Sequence, residues 1–181
     1  RMSQKVYDLT QADVDAGNQL DDYTLTELTT DESGLKAALF VKGDSQVVAY
    51  AGTSPSSWAN WKANFRQAFG FRSAQYDAGL RYAASLDGNV HFTGHSLGGG
   101  IASAAAIVTG NGATVFNAAG VHNNTLNGIS RSNGSVTHFR SSFDVLQPIN
   151  ALSPGSVSGQ QISLGAAGLN GMGGVCKAMG C

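Results

Sequence analysis

The sequence predicts an α/β fold, a largely parallel central sheet with helices on both faces. Short β-prone apolar runs alternate with segments whose apolar residues recur at helical spacing, the pattern of strand–helix–strand units. One strand candidate, residues 89–93, runs straight into a glycine-rich turn and then an alanine-rich helix. The chain has 181 residues and is 42% hydrophobic, which suffices for one compact domain with a sizeable core.

Taken in order, residues 3–30 are polar with scattered apolar positions and read as a short helix followed by an edge strand. Residues 35–41 (LKAALFV) and 46–50 (QVVAY) flank the turn Lys42-Gly43-Asp44-Ser45, which makes them a hairpin. Trp58, Trp61, Phe65 and Phe69 stand at 3-4-4 spacing and predict an amphipathic helix. Residues 76–86 predict a second helix ending at Asp87-Gly88. A short buried strand over 89–93 and the alanine-rich helix through Val108 come next. Residues 113–116, 135–140 and 161–164 are further strand candidates, and 172–179 a final helix.

Composition excludes several function classes. Charged residues make up 13% of the chain, against about a quarter in an average protein, and the net charge is −1. No four Lys or Arg cluster, so no nucleic-acid surface is expected. The longest apolar stretch, residues 101–108, falls far short of the ~20 residues that span a bilayer. Residues 6–22 are polar and acidic, unlike a signal peptide. The opening Arg1-Met2 reads as a tag remnant or a cut through a longer chain, with residues 1–181 expected to form a single domain. Cys176 and Cys181 either close a small terminal disulfide or are incidental; with no neighbouring His they make a poor metal site, and no cofactor is expected. Glycine is the excess to explain, at 24 residues.

Part of that excess lies in Gly94-His95-Ser96-Leu97-Gly98-Gly99-Gly100, placed between a strand and a helix. A G-x-S-x-G run in this context is a nucleophile turn: the chain reverses sharply, the serine projects, and side chains at the flanking positions would collide. The turn sets Ser96 at a helix N-terminus, where free amides and the helix dipole favour an anionic intermediate. The amide of Leu97 is then one oxyanion donor. Gly99, Ala102, Ser103 and Ala106 are small enough to let this helix pack closely on the sheet.

Residues 90–99 (VHFTGHSLGG) resemble the nucleophile elbow of class 3 lipases, α/β-hydrolases acting on acylglycerols and phospholipids. Ala49-Tyr50-Ala51-Gly52-Thr53 is similar to that family's strand ending in F-R-G-T/S, and Ser57-x-x-Asn60-Trp61 to the S-x-x-N-W segment after it. Ala51 stands where the family has Arg, which removes a local ion pair. The resemblance implies an α/β-hydrolase-type fold and an oxyanion role for Thr53 beside Leu97. It is strongest over residues 35–145 and closest to lipase-like domains of bacterial secreted effectors and polymorphic toxins.

A serine hydrolase of this kind also needs an acid and a histidine, in the order Ser, Asp, His. Asp144 is the only carboxylate after Asp87, and the family carries an Asp after the corresponding strand. The four histidines are His91, His95, His122 and His138, and none follows Asp144. His91 is expected in a buried strand, His95 inside the turn facing away from the base position, and His138 as a satisfied or surface histidine. His122 is out of order for the fold. The family places its base in a C-terminal H-G-M or H-S-M segment; this chain has Leu169-Asn170-Gly171-Met172, so Asn170 stands where His is expected. Asn can hold a hydrogen bond there but cannot accept the serine proton near neutral pH.

The expectation is therefore a lipase or phospholipase with Ser96 as nucleophile, Asp144 as acid, Thr53 and Leu97 at the oxyanion, and the base lost at Asn170. The alternative is a pseudo-hydrolase that binds a lipid or a partner protein without turnover. The resemblance further implies a lipid ester substrate met in transient contact with a membrane surface, a bacterial protein secreted or delivered as an effector, and a cognate inhibitor or immunity protein. Trp58, Phe69 and Phe71 are either core aromatics or the lining of an acyl groove.

Overall fold

The computed structural model describes residues 1–52, 68–119, 121, 132–141 and 160–164. Two short helices, α1 (Met2–Lys5) and α2 (Gln11–Asp15), precede β1 (Gln19–Leu20) and β2 (Tyr23–Thr30). Strands β3 (Lys36–Lys42) and β4 (Ser45–Tyr50) lead to helix α3 (Ala68–Ala84), β5 (Val90–His95), helix α4 (Leu97–Thr109) and β6 (Gly112–Phe116). Strands β7 (Ser135–Ser141) and β8 (Gln160–Leu164) complete the described elements. Among the described residues no helix is long and apolar enough to cross a membrane.

The eight described strands form one sheet in the order β1-β2-β3-β4-β5-β6-β7-β8. The first four pair antiparallel, and every pairing from β4 to β8 is parallel. The β3–β4 hairpin is the expected one: Lys42 faces Ser45 across Gly43-Asp44, and Gly43 takes φ +55° as the first residue of a tight two-residue turn.

Alternation along each strand divides the core in two. Ala37 and Leu39 of β3 with Val48 and Tyr50 of β4 face one side, beside Val90, Phe92, Ala113, Val115 and the buried face of α4. Ala38, Phe40 and Ala49 face the other, packed with Val6 and Leu9 from the chain around α1. Helices therefore cover both faces, as the sequence predicts. Parallel strands advancing in one direction with right-handed crossovers put α3 and α4 on the same face. There they meet closely: a Cβ on Gly79 of α3 would lie 2.3 Å from Ile101 Cγ2 of α4, and the Tyr50 hydroxyl donates to the Gly79 carbonyl at 2.9 Å.

Two expectations need correction. The break between one helix ending at Phe69 and another beginning at Tyr76 is absent, since α3 runs unbroken over Ala68–Ala84. Glycine inside a helix costs about 1 kcal/mol relative to alanine, and burial of Tyr76, Ala78, Leu80 and Ala83 offsets it. His91 is exposed rather than buried; the alternation that buries Val90 and Phe92 turns His91 to the opposite face, where its Nε2 lies 3.0 Å from Thr114 Oγ1.

Candidate active site

The G-x-S-x-G run lies at the junction of β5 and α4, with β5 extending through His95 before the chain turns. Ser96 sits at the turn with φ +56° and ψ −123°, a conformation that a residue with a side chain rarely adopts. Such strain persists only where the surroundings over-determine it, and it concentrates at active sites. Here three backbone hydrogen bonds hold the residue. The Ser96 N–H donates to the Phe116 carbonyl (3.1 Å), and the Ser96 carbonyl accepts from Gly100 (3.1 Å) and Ala119 (2.9 Å).

The glycines make that geometry possible. A Cβ on Gly94 would stand 2.3 Å from the carbonyl carbon and oxygen of Gly98, so strand and helix cross in backbone contact. A Cβ on Gly98 would stand 2.2 Å from the Tyr50 carbonyl oxygen, which binds the first turn of α4 to the end of β4. Ser103, fully buried on the same helix, donates to the Gly99 carbonyl at 2.8 Å.

Ser96 caps α4 but makes no side-chain capping bond, which leaves its hydroxyl uncommitted to the helix backbone. Leu97 is the first helical residue, so its amide belongs to the N-terminal group that has no intrahelical acceptor. The end of β4 approaches the same place: a Cβ on Gly52 would lie 2.7 Å from the His95 carbonyl and 3.2 Å from the Leu97 nitrogen. The strand end that leads to Thr53 is thus brought against the turn. Thr53 itself lies outside the described residues, as do Asp144, Asn170, His122, Trp58, Cys176, Cys181 and the side chains of Phe69 and Phe71. Of the expected site residues, Ser96 and Leu97 are brought together with the glycines around them.

Two residues at the site have no signal in the motif. Tyr7, just after α1, accepts the Gly52 N–H on its hydroxyl at 2.9 Å, and its carbonyl accepts from Lys36 Nζ at 2.8 Å. Burial raises the Tyr7 hydroxyl above its ordinary value, opposed in part by the Gly52 bond. His138 on β7 is fully buried and accepts the Ala118 N–H on Nε2 at 2.9 Å. Burial, with Arg140 nearby, lowers it to about 4, so it is neutral at physiological pH. The expectation of a satisfied or surface histidine holds only in part: His138 is buried and bonded through Nε2, while its Nδ1 is buried without a hydrogen-bond partner among the described residues. Tyr7 and Gly52 are 45 residues apart, and His138 and Ala118 are 20 apart. Only the assembled fold brings either pair together.

Comparison with known proteins is consistent with this arrangement. Residues 1–175 match the model of a phospholipase-like family, the Tle-like phospholipase domain. The extracellular phospholipase A1 of Serratia liquefaciens is 36% identical over 137 residues, covering 70% of this chain and 42% of that protein. The chain thus spans less than half the length of this relative. Among solved structures, the triacylglyceride lipase of Rhizomucor miehei superposes with a TM-score of 0.51 at 15% identity, over 78% of this chain and 66% of that one. A mutant form of MDLA from Penicillium cyclopium gives 0.52 at 15% identity, over 90% and 76%. At such identities the likeness is one of fold, the α/β-hydrolase fold of the lipases. With nearly its whole length matched by the family model, this chain belongs to the Tle-like phospholipase domain family.

Proposed function

We propose that this domain is a serine hydrolase of lipid carboxylic esters, a phospholipase or lipase in which Ser96 is the nucleophile. The observation that carries the reading is Ser96 held at φ +56° on the strand–helix turn, beside a helix-terminal Leu97 amide, in a chain of this family. The relative from Serratia, named an extracellular phospholipase A1, supports a glycerophospholipid as substrate. Ser96 Oγ attacks the ester carbonyl, and the resulting oxyanion is held by the Leu97 N–H and by Thr53. With a histidine at position 170, the serine proton would pass to that imidazole and from there to the leaving alcohol, with Asp144 orienting the ring. A water then repeats the sequence on the acyl-enzyme.

In this chain the expected base position is Asn170, which cannot take the proton. Loss of a triad base costs on the order of 10⁴–10⁶ in rate. The domain as it stands is accordingly a binder of lipid ester with little turnover. The complete protein acts at a lipid surface after secretion or delivery as an effector, with an inhibitor protecting the producing cell.

The test is hydrolysis of p-nitrophenyl butyrate and of phosphatidylcholine vesicles by the chain and by its Asn170→His form, each with a Ser96→Ala control. A gain of at least about 10³-fold in the Asn170→His form, abolished by Ser96→Ala, is expected from restoring one triad member. A folded Asn170→His protein with no gain would overturn the assignment of position 170. Hydrolysis that survives Ser96→Ala would overturn the nucleophile.

A further inference from the structure

Beneath the turn, three consecutive amides are each committed to a different partner. The segment leaves β6 at Asn117, which has φ +43°. The Asn117 N–H donates to the Phe139 carbonyl of β7 at 2.9 Å, the Ala118 N–H to His138 Nε2 at 2.9 Å, and the Ala119 N–H to the Ser96 carbonyl at 2.9 Å. The segment has no room to shift toward the helix, because a Cβ on Gly99 would already stand 2.7 Å from the Ala118 Cβ. His138 pairs in register with Val115, so its ring lies on the side of the sheet that α4 covers.

The last of these bonds reaches the chemistry. The Ser96 carbonyl and the Leu97 N–H belong to one planar trans peptide and point in opposite directions. Fixing the carbonyl on the Ala119 amide therefore fixes where the Leu97 N–H is aimed. His138 holds Ala118, Ala118 carries Ala119, and Ala119 holds the peptide plane.

We propose that His138 is a positioning residue for the oxyanion site, acting through Ala118 and Ala119 to orient the Ser96–Leu97 peptide. The proposal rests on the reading of Leu97 as an oxyanion donor. It requires the neutral ring with its proton on Nδ1, since Nε2 accepts. Burial of the ring, reinforced by Arg140, keeps that form at physiological pH. A hydrophobic residue of similar size would fill the space but leave the Ala118 amide without its acceptor, whereas a glutamine carbonyl can accept in its place.

The experiment compares His138→Leu and His138→Gln on p-nitrophenyl butyrate, in whichever of the chain or its Asn170→His form hydrolyses that ester. Loss of a whole oxyanion donor lowers kcat by about 10²–10³-fold, so a misaimed one is expected to cost about 10- to 100-fold. The loss falls on kcat, with KM within about twofold, because the oxyanion forms only in the transition state. His138→Gln recovers most of it. A folded His138→Leu protein with unchanged kcat overturns the proposal, as does a folded His138→Gln no better than Leu.

Two readouts need no catalysis and separate failure of this inference from failure of the proposed function. In the unsubstituted chain, ¹⁵N spectra of His138 show the Nδ1–H tautomer; an Nε2–H tautomer overturns the proposal even if neither variant folds. If no form hydrolyses the ester, the proposed function fails, and amide exchange still decides the bracing. The Ala119 amide loses protection in His138→Leu and regains it in His138→Gln. Equal protection in all three proteins overturns the inference.

Discussion

Replacing Ser96 with glycine should strengthen the fold while it removes the proposed nucleophile. Ser96 sits at φ +56°, ψ −123° and makes no side-chain capping bond, so the fold gains nothing from its hydroxyl at the helix end. Holding a residue with a Cβ in such a region costs about 1–3 kcal/mol. Glycine adopts it freely but loses about 0.5–1 kcal/mol through the greater freedom of its unfolded chain. The balance is a gain of about 1 kcal/mol, which for a protein of this size raises Tm by about 2–4 °C. Ser96→Ala keeps the Cβ and its strain, and should melt close to the parent. The assay is thermal unfolding by circular dichroism on the three proteins at one pH. At an ordinary N-cap, glycine in place of serine costs a few tenths of a kcal/mol. A Ser96→Gly protein that melts below its parent would therefore refute the claim that the turn is strained.

Gly98→Ala should act in the opposite sense. Its Cβ would meet the Tyr50 carbonyl at 2.2 Å and the Ala51 carbonyl carbon at 2.7 Å, both backbone atoms with little room to yield. Overpacking of this kind costs about 1–3 kcal/mol, and urea unfolding of a Gly98→Ala protein with parental stability would contradict the contact. Tyr7→Phe leaves the Gly52 amide without its acceptor, for a loss of about 1 kcal/mol and increased hydrogen exchange at Gly52. Unchanged exchange there would refute the bond.

Stability should also fall in acid through His138. Its folded value of about 4 lies below the ordinary 6.5, so the unfolded chain binds the proton first. The contribution is complete above pH 6.5 and is lost as pH falls through 4, by about 3 kcal/mol in all. His138→Gln should flatten the slope of unfolding free energy between pH 4 and 6.5, and an unaltered slope would contradict the burial of this ring.

Much of this was legible in the sequence because it is local. The hairpin declares itself through Gly43 between two apolar runs, and the turn at Ser96 through glycines at fixed offsets between strand and helix. The failures have physical causes as well. The spacing of Trp58, Trp61, Phe65 and Phe69 and the apolar positions of residues 76–86 read as two helices, yet α3 runs unbroken over Ala68–Ala84 because tertiary packing outweighs a propensity of this size. His91 and Phe92 both lie on an apolar strand, and which of two alternating faces is covered is decided by helices elsewhere in the chain. Tyr7 and His138 are bonded to Gly52 and Ala118 across 45 and 20 residues, and only the assembled fold supplies these partners.

The most direct test of the central claim is to find where the protein reacts with an ester-like electrophile. The Asn170→His form, treated with a fluorophosphonate and digested for mass spectrometry, should carry a single adduct on Ser96, and the Ser96→Ala control should carry none. An adduct on another residue, or one that persists in Ser96→Ala, would contradict the assignment of Ser96 as the nucleophile.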